Sequence, residues 1–220
     1  MTTAPTGRTR LHPETRREQL LELGVRLLST RSLDELSVDV LAEEAGIARG
    51  LLYHYFGNKQ DFHRAVVRHA ADDLIRVTAP VPEGEPLERL ARSLDAYVGY
   101  VEANYAGYVS LVRGAASGNE DLQRIYEEAQ TALTERIFDE AGDADATAAG
   151  LLEVFTIEDT PAVRLMVRGW SAMTETVVIA WVRDRQAGRE VVSRDDLLAM
   201  LAAALPGALA GAPAARRTTG

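Results

Sequence analysis

Apolar residues return along this chain at intervals of three and four, the spacing of amphipathic helices, and no stretch alternates as a strand would. Pro13 suits a first helical position. Leu20, Leu23, Leu27 and Leu28 share one face, so a helix is predicted over 13 to about 30. Ser37 reads as an N-cap and Asp39 puts negative charge in the first turn, where the helix dipole favours it. Val38, Leu41 and Ala45 then give the apolar side of a second, short helix. Gly46 follows its end, where a left-handed backbone costs glycine nothing. Ile47, Leu52, Tyr55 and Phe56 make the inward side of a third. Asn58, with Asp61 in a capping-box-like place, opens a fourth to about 77, with Phe62, Val66, Ala70 and Leu74 inward.

A linker, A-P-V-P-E-G-E-P, separates this region from a second helical series. Leu87, Leu90, Ala91, Leu94, Val98 and Val101 mark one helix, 105–114 a shorter one, and 120 to about 141 a third with Ile125, Ala129, Leu133 and Ile137 inward. The acidic stretch 142–160 offers only a short helix near 151–155. Pro161 opens a long helix to about 187, spanning about 40 Å. Its stripe is Val163, Val167, Trp170, Met173, Thr174, Val177, Val178 and Trp181. Ser193 caps a last helix carrying Leu197, Leu198, Leu201, Leu205 and Leu209. The predicted class is all-α.

The stretch 37–59 carries the chemistry. Two short helices joined by a glycine elbow, with small Ala42 at their crossing, describe a helix-turn-helix. The second of them turns Arg49, Leu51, Tyr53 and His54 outward, a cationic, hydrogen-bonding and aromatic face suited to phosphates and base edges in a major groove. The run A-E-E-A-G-I-A-R-G-L-L-Y-H-Y-F-G-N-K-Q-D-F resembles the DNA-binding signature of the tetracycline-repressor (TetR) family, over roughly residues 13–74. That resemblance implies a DNA-contacting set of Ser37, Arg49, Gly50, Leu51, Tyr53, His54, Tyr55 and Lys59. Tyr53, Tyr55 and Lys59 would touch phosphates or groove edges, Arg49, Leu51 and His54 would face bases, and Ser37 would meet a phosphate. Two positions depart from the family pattern. Ala48 replaces the usual Ser, removing a cap worth about 1 kcal/mol. Leu51 stands where Thr is common, so a base contact there is apolar, such as a thymine methyl. The expected organisation is a helix-turn-helix domain over 1–57 with a mobile arm at 1–12, a ligand-binding and dimerisation body over 58–210, and a disordered tail at 211–220.

Net charge is −9, which does not by itself advertise nucleic-acid binding. Its distribution does. Residues 1–77 hold 11 Lys+Arg against 11 Asp+Glu, leaving 13 against 22 for the remainder. An acidic body with a neutral, locally basic head meets DNA through one end only. Arg8 and Arg10 in the arm either follow the DNA or belong to a solvated tail. Lys59 is the only lysine, placed in a first helical turn where a cation opposes the dipole, and a bound phosphate would explain it.

There is no cysteine, so disulfides, thiolate metal sites and Cys nucleophiles are excluded. The N-terminus has no apolar h-region and no apolar run reaches the ~20 residues of a membrane span, so a soluble, cytoplasmic protein without membrane contact is expected. No catalytic, nucleotide-binding or metal-binding motif is found, all four histidines fall at or before His69, and no cofactor or enzymatic role is expected. Five of the seven tyrosines gather in the body. Tyr97, Tyr100, Tyr105, Tyr108 and Tyr126, with Arg113, Arg168, Ser171 and Glu175, are the candidate contacts for a small-molecule effector. Trp170, Val177, Trp181, Leu198, Leu201 and Leu205 are the candidate faces of a homodimer built like the family's two-fold four-helix bundle; a monomer core is the alternative. The reading is a homodimeric repressor of double-stranded DNA released by an effector. Against it stand a helical binding protein or enzyme with a vestigial head, and a partner-regulated DNA-binding protein without ligand.

Overall fold

The structure, a computed structural model, describes residues 12–81, 83–138 and 151–210. The expected arm, apart from His12, the expected tail, and 139–150 lie outside the described residues. The elements are helices α1 (Pro13–Leu28), α2 (Val38–Ala45), α3 (Arg49–Phe56), α4 (Lys59–Val77), α5 (Pro86–Ala103), α6 (Tyr105–Ala116), α7 (Glu120–Glu135), α8 (Leu151–Val154), α9 (Pro161–Gln186) and α10 (Arg194–Ala210), with no strand among the described residues.

Local chemistry sets the head. The Ser37 hydroxyl accepts from the Val40 N–H at 3.1 Å. Gly46 turns left-handed at φ +62°, and the Ile47 N–H bonds back to the Ala42 carbonyl at 3.0 Å, which closes α2 and aims the chain into α3. Asn58 accepts from the Asp61 N–H at 2.9 Å and donates to the Asp61 carboxylate at 2.7 Å, fixing the start of α4. Ala48 precedes α3 with no side-chain cap. His63 sits against the stretch before α2, its Nε2 at 2.5 Å from the Leu36 carbonyl, a structural role.

Two apolar clusters follow. One gathers Leu20, Leu36, Leu41, Leu52, Phe62 and Val66, and reaches across α4 to Leu122, Ile125 and Ala129 of α7. The other gathers Leu74, Val98, Val101, Val167, Trp170 and Leu205 from α4, α5, α9 and α10. Helix α4 belongs to both, so packing is continuous from head to body.

Two expectations change. Helix α7 ends at Glu135, short of 141: the chain turns at Arg136, whose guanidinium donates to the Thr78 hydroxyl at 3.1 Å and to the Ile75 carbonyl, tying it to the last turn of α4. The tryptophans are the second. Trp170 Nε1 donates to the Leu201 carbonyl at 3.0 Å and Trp181 Nε1 to the Val192 carbonyl at 2.9 Å. Both rings, with Leu201 and Leu205, are sealed between α9 and α10 inside one subunit, at 7% exposure or less. These four do not offer a surface to a second chain, and Val177 and Leu198 are only partly exposed at the same seam. Periodicity identified a stripe; Met173 of it stays exposed, while its two tryptophans are covered by the α10 region of their own chain.

Ala48→Ser supplies the missing cap without disturbing a buried atom, since Ala48 is exposed. The free protein should gain about 1 kcal/mol and about 2–4 °C in Tm. A calorimetric Tm equal to or below that of the parent would show that α3 has no uncapped donor to satisfy.

Candidate nucleic-acid interface and internal cavity

Helix α3 buries Leu52 and Phe56, and its periodicity then turns Arg49, Gly50, Leu51, Tyr53 and His54 to solvent. Leu51 and Tyr53 are each 38% exposed, an apolar and an aromatic group left open on a short helix. Tyr55 is half-buried against the head core, with His54 edge-on to its ring. A Cβ at Gly50 would meet nothing within 4 Å, so its backbone is open to a close approach. The guanidinium of Arg49 lies over the Tyr53 ring at 5.5 Å, donates to its hydroxyl at 3.1 Å, and pairs with Asp39 of α2 at 3.0 Å. These contacts, the Tyr53 hydrogen bond first, raise the Arg49 pKa. The sequence reading gave Asp39 only a dipole role. Its hold on Arg49 depends on how α2 crosses α3, and no periodicity encodes that. Lys59 is exposed at the start of α4, and no carboxylate pairs with it among the described residues. Ser37 spends its oxygen lone pair on Val40 and keeps its proton for an outside acceptor.

The structure thus brings Arg49, Gly50, Leu51, Tyr53 and His54 onto one exposed helix. Its chemistry is a fixed guanidinium, an imidazole, a phenol and an apolar side chain of the size a major groove admits.

A small cavity of about 40 Å³, with room for roughly three waters, lies where α1, α4, α5, α6 and α7 meet. Its walls are mostly apolar, with Tyr100, Tyr108, Tyr126, Asn104 and Gln130 as the polar groups. Tyr100 donates to the Ala70 carbonyl at 2.7 Å. Behind the wall, Glu175 is 7% exposed and accepts from Tyr108 and Tyr126, each at 2.6 Å, and from Gln130 at 3.1 Å. Tyr97 joins through Tyr108 at 2.9 Å, and Ser171 donates to Gln130 at 3.0 Å. Burial first, and the Glu175 charge beside them, push the Tyr97, Tyr108 and Tyr126 phenols up.

Five of the nine candidate effector contacts therefore form one hydrogen-bonded group with Gln130, namely Tyr97, Tyr108, Tyr126, Ser171 and Glu175, and Tyr100 lines the same cavity. Arg113 and Arg168 do not belong to it. Both side chains are exposed, since a guanidinium without a buried carboxylate partner stays in water. Tyr105, half-buried at the start of α6, does not line the cavity either. Sequence reasoning missed the walls given by Val25 and Leu28 of α1 and by Ala70 and Ala71 of α4. Apolar residues on a head helix gave no signal of a cavity, because the space arises from how α1 and α6 meet.

Comparison with known proteins follows the same division. The family model described as "Bacterial regulatory proteins, tetR family" matches residues 20–66, which is most of α1 through the first half of α4. The chain is 28% identical over 141 residues to the HTH-type transcriptional regulator HbdR of Aromatoleum sp. (strain CIB), covering 63% of this chain and 61% of that one. It is 33% identical over 78 residues to the HTH-type transcriptional regulator BetI of Brucella canis, covering 34% of this chain and 39% of that one. In both cases the matched stretch spans less than two thirds of the relative. A tetR-family transcriptional regulator from Streptomyces coelicolor superposes with a TM-score of 0.74 at 28% identity, over 91% of this chain and 82% of that one. Helix-turn-helix head, helical body and these likenesses agree: residues 20–66 match the tetR-family regulatory domain, and the chain as a whole is similar to TetR-family transcriptional regulators.

Proposed function

We propose that the protein is a repressor that binds a palindromic operator as a homodimer and is released when a small effector fills the cavity beside α1. The observation that carries the reading is the exposed face of α3, where Arg49, Leu51, Tyr53 and His54 stand together with Lys59 one helix start away. A solvated helix has no use for an open leucine and tyrosine flanking a held guanidinium. A major groove does. Arg49 and His54 meet base edges, Leu51 meets a thymine methyl, and Tyr53, Tyr55, Lys59 and the Ser37 hydroxyl meet phosphates.

Dimer contacts belong on the outer rows of α9 and α10 rather than on the buried tryptophans. Leu165 and Met173 are 60% and 40% exposed on α9, and Met200 is 59% exposed on α10. Ala172 and Thr176 extend the first row, and Ala199, Ala203 and Gly207 the second, all exposed. Helix α10 is apolar on every side, and such a helix is stable when its outer face is covered as well. A second copy of the chain covers it, and the two α3 helices then sit at a fixed separation.

Release follows from where the cavity lies. It touches α1 of the head, α4, which both cores share, and α6 and α7 of the body. Gly107 of α6 approaches α1 so closely that a Cβ there would fall 2.6 Å from that of Leu28, so the walls have no slack. An occupant larger than the free space favours a conformation with α1 and α6 apart. That tilts the heads and lowers DNA affinity by differential binding.

Arg49→Ala should relax base preference at one position of each half-site by about 1–3 kcal/mol. Lys59→Ala should weaken binding to all sequences alike and flatten the salt dependence by about one phosphate contact per subunit. Salt-titrated fluorescence anisotropy on operator and random duplexes reads both; unchanged non-specific affinity for Lys59→Ala would remove its phosphate role. Leu165→Glu with Met200→Glu should leave the subunit folded by circular dichroism, yet give a monomer by light scattering. A dimer unchanged in that variant would move the interface elsewhere.

A further inference from the structure

We infer that the cavity selects a small organic cation, an amine with a short apolar body, through the buried carboxylate of Glu175 behind its tyrosine wall; this rests on the sensing reading above and names its ligand. Glu175 projects from α9 toward α6 and α7 and is as buried as the apolar core around it. Its hydrogen-bond donors are the Tyr108 and Tyr126 hydroxyls and the Gln130 amide, all neutral. No Arg, Lys or His forms an ion pair with it among the described residues, although the surrounding surface carries many arginine–carboxylate pairs. Neutral donors satisfy the oxygens without supplying a positive charge, so the site lacks the cationic partner that a buried carboxylate calls for.

The donors are also the cavity wall. Tyr108, Tyr126 and Gln130 each line it, and each holds Glu175 by its polar end. Tyr108 donates to Glu175, so it accepts from Tyr97 in turn, and the phenols form a chain oriented on one anion. Gln130 makes the longest of the three bonds and is also held by Ser171, so it is the donor most readily exchanged for an ammonium N–H. An anionic ligand would be repelled by Glu175, and a neutral one can at most donate a hydrogen bond to it, without the ion pair a cation adds. The apolar remainder of the wall, Leu28, Val67, Leu111 and Leu133 among it, takes a short hydrocarbon body. The free space of about 40 Å³ limits that body to a few carbons unless the walls part.

The test uses the full chain with n-butylamine, n-butanol and butyrate at neutral pH and matched ionic strength, read by thermal shift and calorimetric titration. Butylamine should bind at least about tenfold more tightly than either isostere, and Glu175→Gln should bring the three within about twofold. Equal binding of butanol or butyrate, no binding of butylamine, or an amine preference that survives Glu175→Gln would each overturn the proposal. Should Glu175→Gln fail to fold, Tyr126→Phe removes one donor and leaves more of the carboxylate free, so amine binding should tighten; unchanged or weaker binding would overturn it equally. Operator titration separates the two readings. Amine binding without a change in DNA affinity keeps the ligand class and removes sensing, while release from DNA by a neutral or anionic compound in this cavity keeps sensing and removes the class.

Discussion

Helix α4 is the member that everything else shares. Phe62 and Val66 are fully buried in the head cluster, and Leu74 three turns later is buried in the body cluster. Its seam with α1 is so close that a Cβ on Gly24 would fall 2.8 Å from a Val66 methyl. Helix α7 lies along its other side, where Arg64 pairs with Asp121 and Arg68 with Glu128, and Arg136 holds the carbonyl end. Exposed pairs of this kind contribute little stability but do fix register along a seam. Burying one helix in two cores leaves the head no independent rigid-body freedom. Whatever shifts α4 relative to α1 or α7 shifts α3.

Charge and shape divide the work. The acidic body cannot lie along a phosphate backbone, while the head, neutral in sum, exposes Arg49 on α3 and Lys59 at the start of α4 and lays Arg17 over the Phe56 ring of α3. Arg49 is already in place before any DNA arrives, clamped between Asp39 and Tyr53. Such a side chain loses less freedom on binding than a loose one. The cavity is lined by α1 and α4 on one side and α6 and α7 on the other, at the joint between the two apolar cores.

Much of this was legible in the residues. Ser37, Gly46 and Asn58 act locally, so their capping and turning roles could be read directly and the structure shows each. The α3 face was legible because Leu52 and Phe56 fix which side is buried. What was not legible depends on which surface covers which. Trp170 and Trp181 form an apolar stripe that α10 of the same chain covers, and a stripe does not record its partner. Glu175 was named as a candidate effector contact, but its burial and its tyrosine donors come from α6 and α7, far away in sequence. Arg168, on the same helix, points to solvent, because helical spacing marks a face without saying how deep it lies.

The claim on which the account stands is that α3 enters a major groove, twice, at a separation set by a second subunit. Methylation protection of guanine N7 on DNA fragments bound by the purified protein tests it most directly, since that atom lies on the major-groove floor. The account predicts protected guanines in two inverted half-sites about one helical turn apart or somewhat more, lost together when salt is raised. Protection confined to a single half-site, or bound DNA with every N7 still reactive, would contradict it.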